Sequence, residues 1–340
     1  MSLLINVYST LQCVPEPDFP HTLLGRRDHS DPELAGHLDG FVQYALSLRE
    51  QMTFTLYHLM RHLQRVRVQL SLEVSDEALP AFSAWAARSN VVCYLPDGSV
   101  RDAALRVLLA AGGDDADARL PYPDSAWQRK RQSDAILAEE GVHVPAHLPP
   151  VLAEEELLLR PAGEVLRRAA ALFAVAVRAE SLAMGRPIPV DELAERLPLA
   201  AAALSPAEVD FWHDPAPQEQ AVVNACWRYE ALRVLVWALR LSPAPLSRPD
   251  AICDVSALAQ CLFGLNWEEA LAQAELRPAA EILDQLDRHF RYHWACRQAR
   301  QQQREPDGGL LPGVVMERHH ALNWLVQFLG AQWDEVDTPT

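Results

Sequence analysis

The order of apolar and polar residues divides the chain into two kinds of sequence. Residues 3–8 (LLINVY) form an apolar run of strand length, and 65–74 (RVRVQLSLEV) alternate with period two, as a strand with one wet face does. Residues 91–95 (VVCYL) are β-branched and apolar and end at the turn signal Pro96-Asp97-Gly98. Ser75 is placed to cap a helix over 76–88 that has Asp76 and Glu77 in its first turn, and 32–49 has the pattern of another helix. A Pro-rich loop runs to Pro20. This β–α–β spacing predicts a small sheet with helices on one face. From about residue 125 the strand signal ends. Helical periodicity follows over 125–140, 163–181, 206–213, 217–241, 255–263, 278–302 and 312–329, punctuated by prolines. The expected fold class is α+β: a small α/β domain over 1–112, an acidic linker over 113–124 with Asp114, Asp115 and Asp117, and an all-helical domain over 125–340. There is no internal repeat and no heptad run.

Three helices carry ionisable residues on their apolar faces when projected at about 100° per residue. Over 278–302 the stripe is Ile282, Leu283, Leu286, Phe290 and Trp294; His293 and Arg297 fall inside it, and Asp284, Arg288 and Arg291 outside. Over 312–329 the stripe is Val314, Leu322, Leu325, Phe328 and Leu329. Arg318 falls between Leu325 and Leu329, and Glu317 beside Trp324 and Phe328. Over 217–241 Arg228 projects between Leu235 and Leu239, while Glu230 lies on another flank near Val223, Val234 and Trp237. An unpaired charge inside an apolar face is strongly unfavourable, so Arg228, Glu230, His293, Arg297, Glu317 and Arg318 are expected to meet one another. Two readings of that set stay open: a charge network that fixes how the helices meet, or an enclosed pocket for acid–base work. His289 and His293 have the spacing of a chelating pair, but His289 projects away from the stripe and no third ligand is near. His143 and His147 lie in a Pro-bounded loop, His319 and His320 point to different faces, and Glu154 to Glu156 read as a solvated helix start. No metal, no cofactor and no catalytic residue is assigned, because the phosphate-loop, dinucleotide, zincin and nucleophile-elbow motifs do not occur.

Composition narrows this further. Hydrophobic residues make up 49% of the 340, enough for a sizeable core, with no apolar run of membrane-spanning length; MSLLINVYST has no basic n-region and too short an apolar segment for a secretory signal. The six cysteines form no C-x-x-C pair, as expected of buried thiols in a reducing compartment. A cytoplasmic protein is expected, with no membrane partner. Lys130 is the only lysine in an Ala- and Pro-rich chain, a composition typical of a GC-rich bacterial genome. The net charge of −16 argues against direct nucleic-acid binding and for a basic protein partner. Both parts contribute: 10 basic and 16 acidic residues over 1–124, 20 and 30 over 125–340.

Six segments then stand out in order: SDAILAEEGVHVPAHLPP (133–150), WRYEALRVLVWAL (227–239), DAICDV (250–255), HWACRQAR (293–300), GVVMERHHALNWL (313–325) and WDEVDTPT (333–340). Together they resemble a bacterial domain-of-unknown-function family, number 4272, over roughly 125–340 and more loosely over the segment just upstream. The resemblance singles out Trp227, Arg228, Tyr229, Glu230, His293, Trp294, Arg297, Glu317, Arg318, Asn323, Trp324, Trp333 and Asp334, which overlap the inward-projecting set. His289 is outside that pattern, and Pro339 stands where the family ending has an acidic residue. The resemblance implies no activity. The expected function is a non-enzymatic acidic binding protein, an immunity protein that neutralises a secreted bacterial toxin, a nuclease among the candidates, by contact. The alternative is an enzyme or small-ligand binder using the helical pocket, with His293, Glu230 and Glu317 as acid–base groups and Arg228, Arg297 and Arg318 holding an anion.

Overall fold

The computed structural model describes residues 2–340 and has an α+β architecture, a six-stranded antiparallel sheet with helices followed by a helical region. The chain forms two compact units. One holds the residues up to Trp127 together with Leu152–Leu157; the other holds Gln128–Val151 and Leu158–Thr340.

In the first unit the elements follow as β1 (Ser2–Ser9), β2 (Thr22–Asp28), α1 (Glu33–Ser47), α2 (Phe54–Leu63), β3 (Val68–Ser75), α3 (Leu79–Arg88), β4 (Val91–Tyr94), β5 (Val100–Arg101) and β6 (Val107–Leu109). The sheet order is β2-β3-β1-β4-β5-β6. β1 pairs antiparallel with both β3 and β4, so the β3–α3–β4 connection carries the chain over β1. The alternation in β1 explains the layers. Ile5 and Val7 join Leu70, Leu72, Phe82 and Trp85 on the α3 side, while Tyr8 joins Phe41, Leu56, Leu59 and Leu63 on the side of α1 and α2. Both sheet faces are therefore covered, which corrects the expectation of helices on one face only. α2 has no counterpart in the sequence reading, because its buried face carries His58 and His62 beside Leu59 and Leu63. The Pro96-Asp97-Gly98 turn is as expected: Gly98 takes φ +80°, and Tyr44 Oη donates to its carbonyl at 2.6 Å. In the acidic segment after β6, the Asp115 carboxylate accepts from Val107 N at 2.6 Å, and Asp114 pairs with Arg49 at 2.5 Å. Glu154–Glu156 form a 3₁₀ turn, and Glu156 is buried rather than solvated. Its carboxylate caps Ala153 N at 2.8 Å and lies 3.6 Å from Arg65.

The chain enters the second unit along α4 (Asp124–Glu139). There follow α5 (Ala162–Ala183), α6 (Val190–Arg196), α7 (Pro206–His213), α8 (Glu219–Ala238), α9 (Val255–Phe263), α10 (Trp267–Ala272), α11 (Ala279–Gln301) and α12 (Pro312–Leu325). α5 packs on α8, α8 on α12, and α12 on α11. The α5–α8 contact is close because α5 buries a run of alanines from Ala169 to Ala179. α8 and α12 also meet closely. A Cβ on Gly313 would lie 2.9 Å from the Trp227 ring, so glycine is what lets α12 begin against that indole. α12 ends at Leu325, short of 329. Gln327 and Leu329 both take positive φ, and Leu329 leaves the expected buried face for solvent.

Candidate functional site

The two middle helices of the second unit present opposite charge orders to each other. α8 carries Arg228 and Glu230; α12 carries Glu317 and Arg318. Arg318 is 0% exposed and Glu230 2%, depths at which neither charge is tolerated alone. Arg318 Nε donates to Glu230 Oε2 at 2.9 Å, and Nη2 lies 2.8 Å from the same oxygen. The rest of the pair is also used: Glu230 Oε1 accepts from Cys253 N at 2.5 Å, and Arg318 Nη1 donates to Ser247 O at 2.7 Å. The loop that follows α8 is thus fastened to the ion pair at two points. Beside it, Arg228 Nη1 donates to Glu317 Oε2 at 3.0 Å. Burial raises the Glu317 pKa, Arg228 opposes that rise, and Glu230 adds to it.

His293 and His319 meet across α11 and α12, Nδ1 to Nδ1 at 3.0 Å. A contact of that kind requires one ring to donate and the other to accept, so both are not protonated together. Burial pushes His293 down to about 4, with Arg297 acting in the same direction and Asp337 against it. Burial and the charge of neighbouring histidines push His319 well below its ordinary value. His289 falls to about 3 through burial and Arg318, and His320 to about 4 through burial and Arg228. Imidazoles tuned this low are weak bases at neutral pH.

The structure therefore joins Arg228 to Glu317 and Glu230 to Arg318, and places His293 against a histidine rather than a carboxylate. Arg297 is the exception. It is exposed, and its Nη1 donates to Thr340 Oγ1 at 3.2 Å, so it does not belong to the buried network. Four further corrections fall on α11: His289 and Arg291 are buried, and Phe290 and Trp294 are only half-buried. Arg291 is chelated by Asp287 through Nε and Nη2, both at 2.9 Å, and both side chains are fully buried. Their four-residue spacing was the available signal; the assumption of a single stripe hid it, since α11 buries most of its circumference. Also outside the sequence reading are Arg168, paired with Glu208 and stacked 5.0 Å over Trp333, and Arg160, 4.4 Å over Trp324.

The six segments meet in this unit. Asp134 lies 3.4 Å from Arg291 on α11, and Glu140 accepts from Tyr292 Oη at 2.6 Å, next to the HWACRQAR segment. DAICDV supplies the amide on Glu230. HWACRQAR and GVVMERHHALNWL share the histidine contact. In WDEVDTPT, Asp337 O accepts from Asn323 Nδ2 at 2.9 Å, and Trp333 packs on Trp324 with ring centres 5.4 Å apart. The sequence model of the family described as Domain of unknown function (DUF4272) matches residues 129–336, more than half of the chain. The chain belongs to this family. Its DUF4272 region is thus the helical unit, and the segments that mark it are those that hold the ion pairs and histidines together. No curated protein and no solved structure matches the chain. Among the described residues no helix is long and apolar enough to cross a membrane, and no group of three or more His, Cys, Asp or Glu side chains is placed to hold a metal ion.

Proposed function

We propose that this DUF4272 protein acts by contact, as an acidic cytoplasmic binding protein, and more specifically as an immunity protein that neutralises a basic bacterial toxin. A nuclease is one such toxin. The observation that supports this reading is how the buried charges of the family segments are used. Glu230, Arg318 and Glu317 each already have an opposite charge as partner, and the histidines lean on one another, so these groups are spent on holding helices together. The remaining charge favours a basic partner. Among the described residues seven buried cations stand against six buried carboxylates, so the whole of the −16 excess is carried by side chains that reach solvent. An acidic surface speeds encounter with a basic protein and imitates the phosphates such a nuclease binds. The test is co-expression with a basic nuclease toxin. His293→Gln, if folded, is expected to protect cells as wild type does. A folded variant that binds the toxin but no longer protects would give precedence to an enzyme.

A further inference from the structure

We infer that Arg178, on α5, holds an oxyanion that a ligand brings from solution, the carboxylate or phosphate group of a small acid. The site is independent of the contact reading above. Arg178 breaks a rule that the other buried cations keep. Among the described residues seven cations are buried, and six of them have a carboxylate within 4.0 Å, from Asp284 on Arg129 to Glu230 on Arg318. Arg178 has none, although it is only 7% exposed. A guanidinium has five N–H donors, and here one bond is made, from Nη2 to Asp214 O at 2.6 Å. Nε is buried without a partner. The Phe211 ring lies 5.8 Å from the guanidinium carbon, a contact that attracts a cation but supplies no counter-charge.

Asp214 does not fill that role. It is exposed, and its carboxylate serves the turn after α7, where Oδ1 accepts from Ala216 N at 2.9 Å. Burial lowers the Arg178 pKa, and Asp214 opposes the fall without cancelling it. An unmatched buried charge costs stability, and a fold that matches the other six at similar depth gains nothing from the seventh. Departures of this kind gather at binding sites, where a ligand supplies what the fold leaves out. An oxyanion suits the donors that remain. The guanidinium fork matches two oxygens of a carboxylate or phosphate, and a charge-assisted bond is stronger than one to a carbonyl. Half-buried Phe211, packed in one cluster with Val175 and Ala179, offers contact to an apolar body behind the anionic group.

The experiment follows the melting temperature of the full chain as inorganic phosphate or benzoate replaces chloride. Ionic strength is held at about 0.15 M, which screens the long-range repulsion of anions by the net charge. Phosphate also stabilises folded proteins in general, by exclusion from their surface. The readout is therefore the gain of wild type over Arg178→Gln, which keeps a donor for Asp214 O and drops the charge. Wild type should gain about 2–4 °C more than the variant from at least one probe, phosphate marking a phosphorylated ligand and benzoate a carboxylic acid. In chloride alone Arg178→Gln should melt no lower than wild type, because the charge it removes has no partner. Arg178→Met takes its place if it does not fold. Equal gains by wild type and a folded variant with both probes, a folded variant that melts well below wild type in chloride, or failure of both variants to fold overturns the site. Asp214→Asn melting several degrees below wild type would make Asp214 the counter-ion and overturn it as well.

Discussion

Among single residues, the sharpest contrast is between Arg318 and Arg297, which sequence projection treats alike. Arg318 is fully buried against Glu230, whereas Arg297 is exposed and donates to the Thr340 hydroxyl. Removing one member of a buried pair leaves the other charge stranded, so Arg318→Ala or Glu230→Ala should each cost about 3–5 kcal/mol in urea unfolding. The double variant should cost less than the sum, because the second change removes the stranded partner. Arg297→Ala should leave the midpoint where it is. Equal losses for Arg297 and Arg318 would mean that burial is not what sets their cost. The residue types were legible because charged residues inside an apolar stripe demand an explanation. Their pairing was not, since projection on separate helices gives no relative register. α11 departs furthest from the projection: a helix packed on several sides has no single stripe, and its buried face continues around the helix through His289 and Arg291.

At the level of elements, the α8–α12 and α11–α12 contacts carry two predictions. A Cβ at Gly313 would press on the Trp227 ring at 2.9 Å, so Gly313→Ala should destabilise by about 1–3 kcal/mol, as overpacking does, despite the better helix propensity of alanine. Thermal unfolding decides; a stabilised variant would show that the helices separate there without cost. The histidine seam gives a pH dependence. In the unfolded chain His293 and His320 take up protons near 6.5, and in the folded chain only near 4. The unfolded state therefore binds more protons between those values. The seam's contribution is fully present above about pH 6.5 and is lost as pH falls toward 4. Going from pH 7.5 to 5 should remove roughly 2 kcal/mol per histidine. Urea midpoints at the two pH values check this, and His293→Gln should reduce the difference. The elements themselves were largely readable: the periodic helices over 125–140, 206–213, 255–263 and 278–302 match α4, α7, α9 and α11 within a residue or two. β2 was not. It is an edge strand with a register shift between Leu23 and Gly25, and its exposed Leu23 and Leu24 break the alternation that marks a half-buried strand.

At the scale of the whole molecule, an inward set of matched charges accompanies an outward excess of carboxylates. Net charge and helical content were in the sequence; that the charged family segments meet one another required three dimensions. The central claim is that the protein neutralises its partner by occupying it. Stoichiometry tests that most directly. A purified basic toxin that the protein protects against is assayed for activity while the protein is added in increasing amounts. Inhibition by contact predicts activity that falls in proportion to the protein added and reaches its floor near equimolar amounts, with folded His293→Gln giving the same titration. Complete inactivation by a small fraction of an equivalent, lost in the His293 variant, would mean turnover and contradict the account.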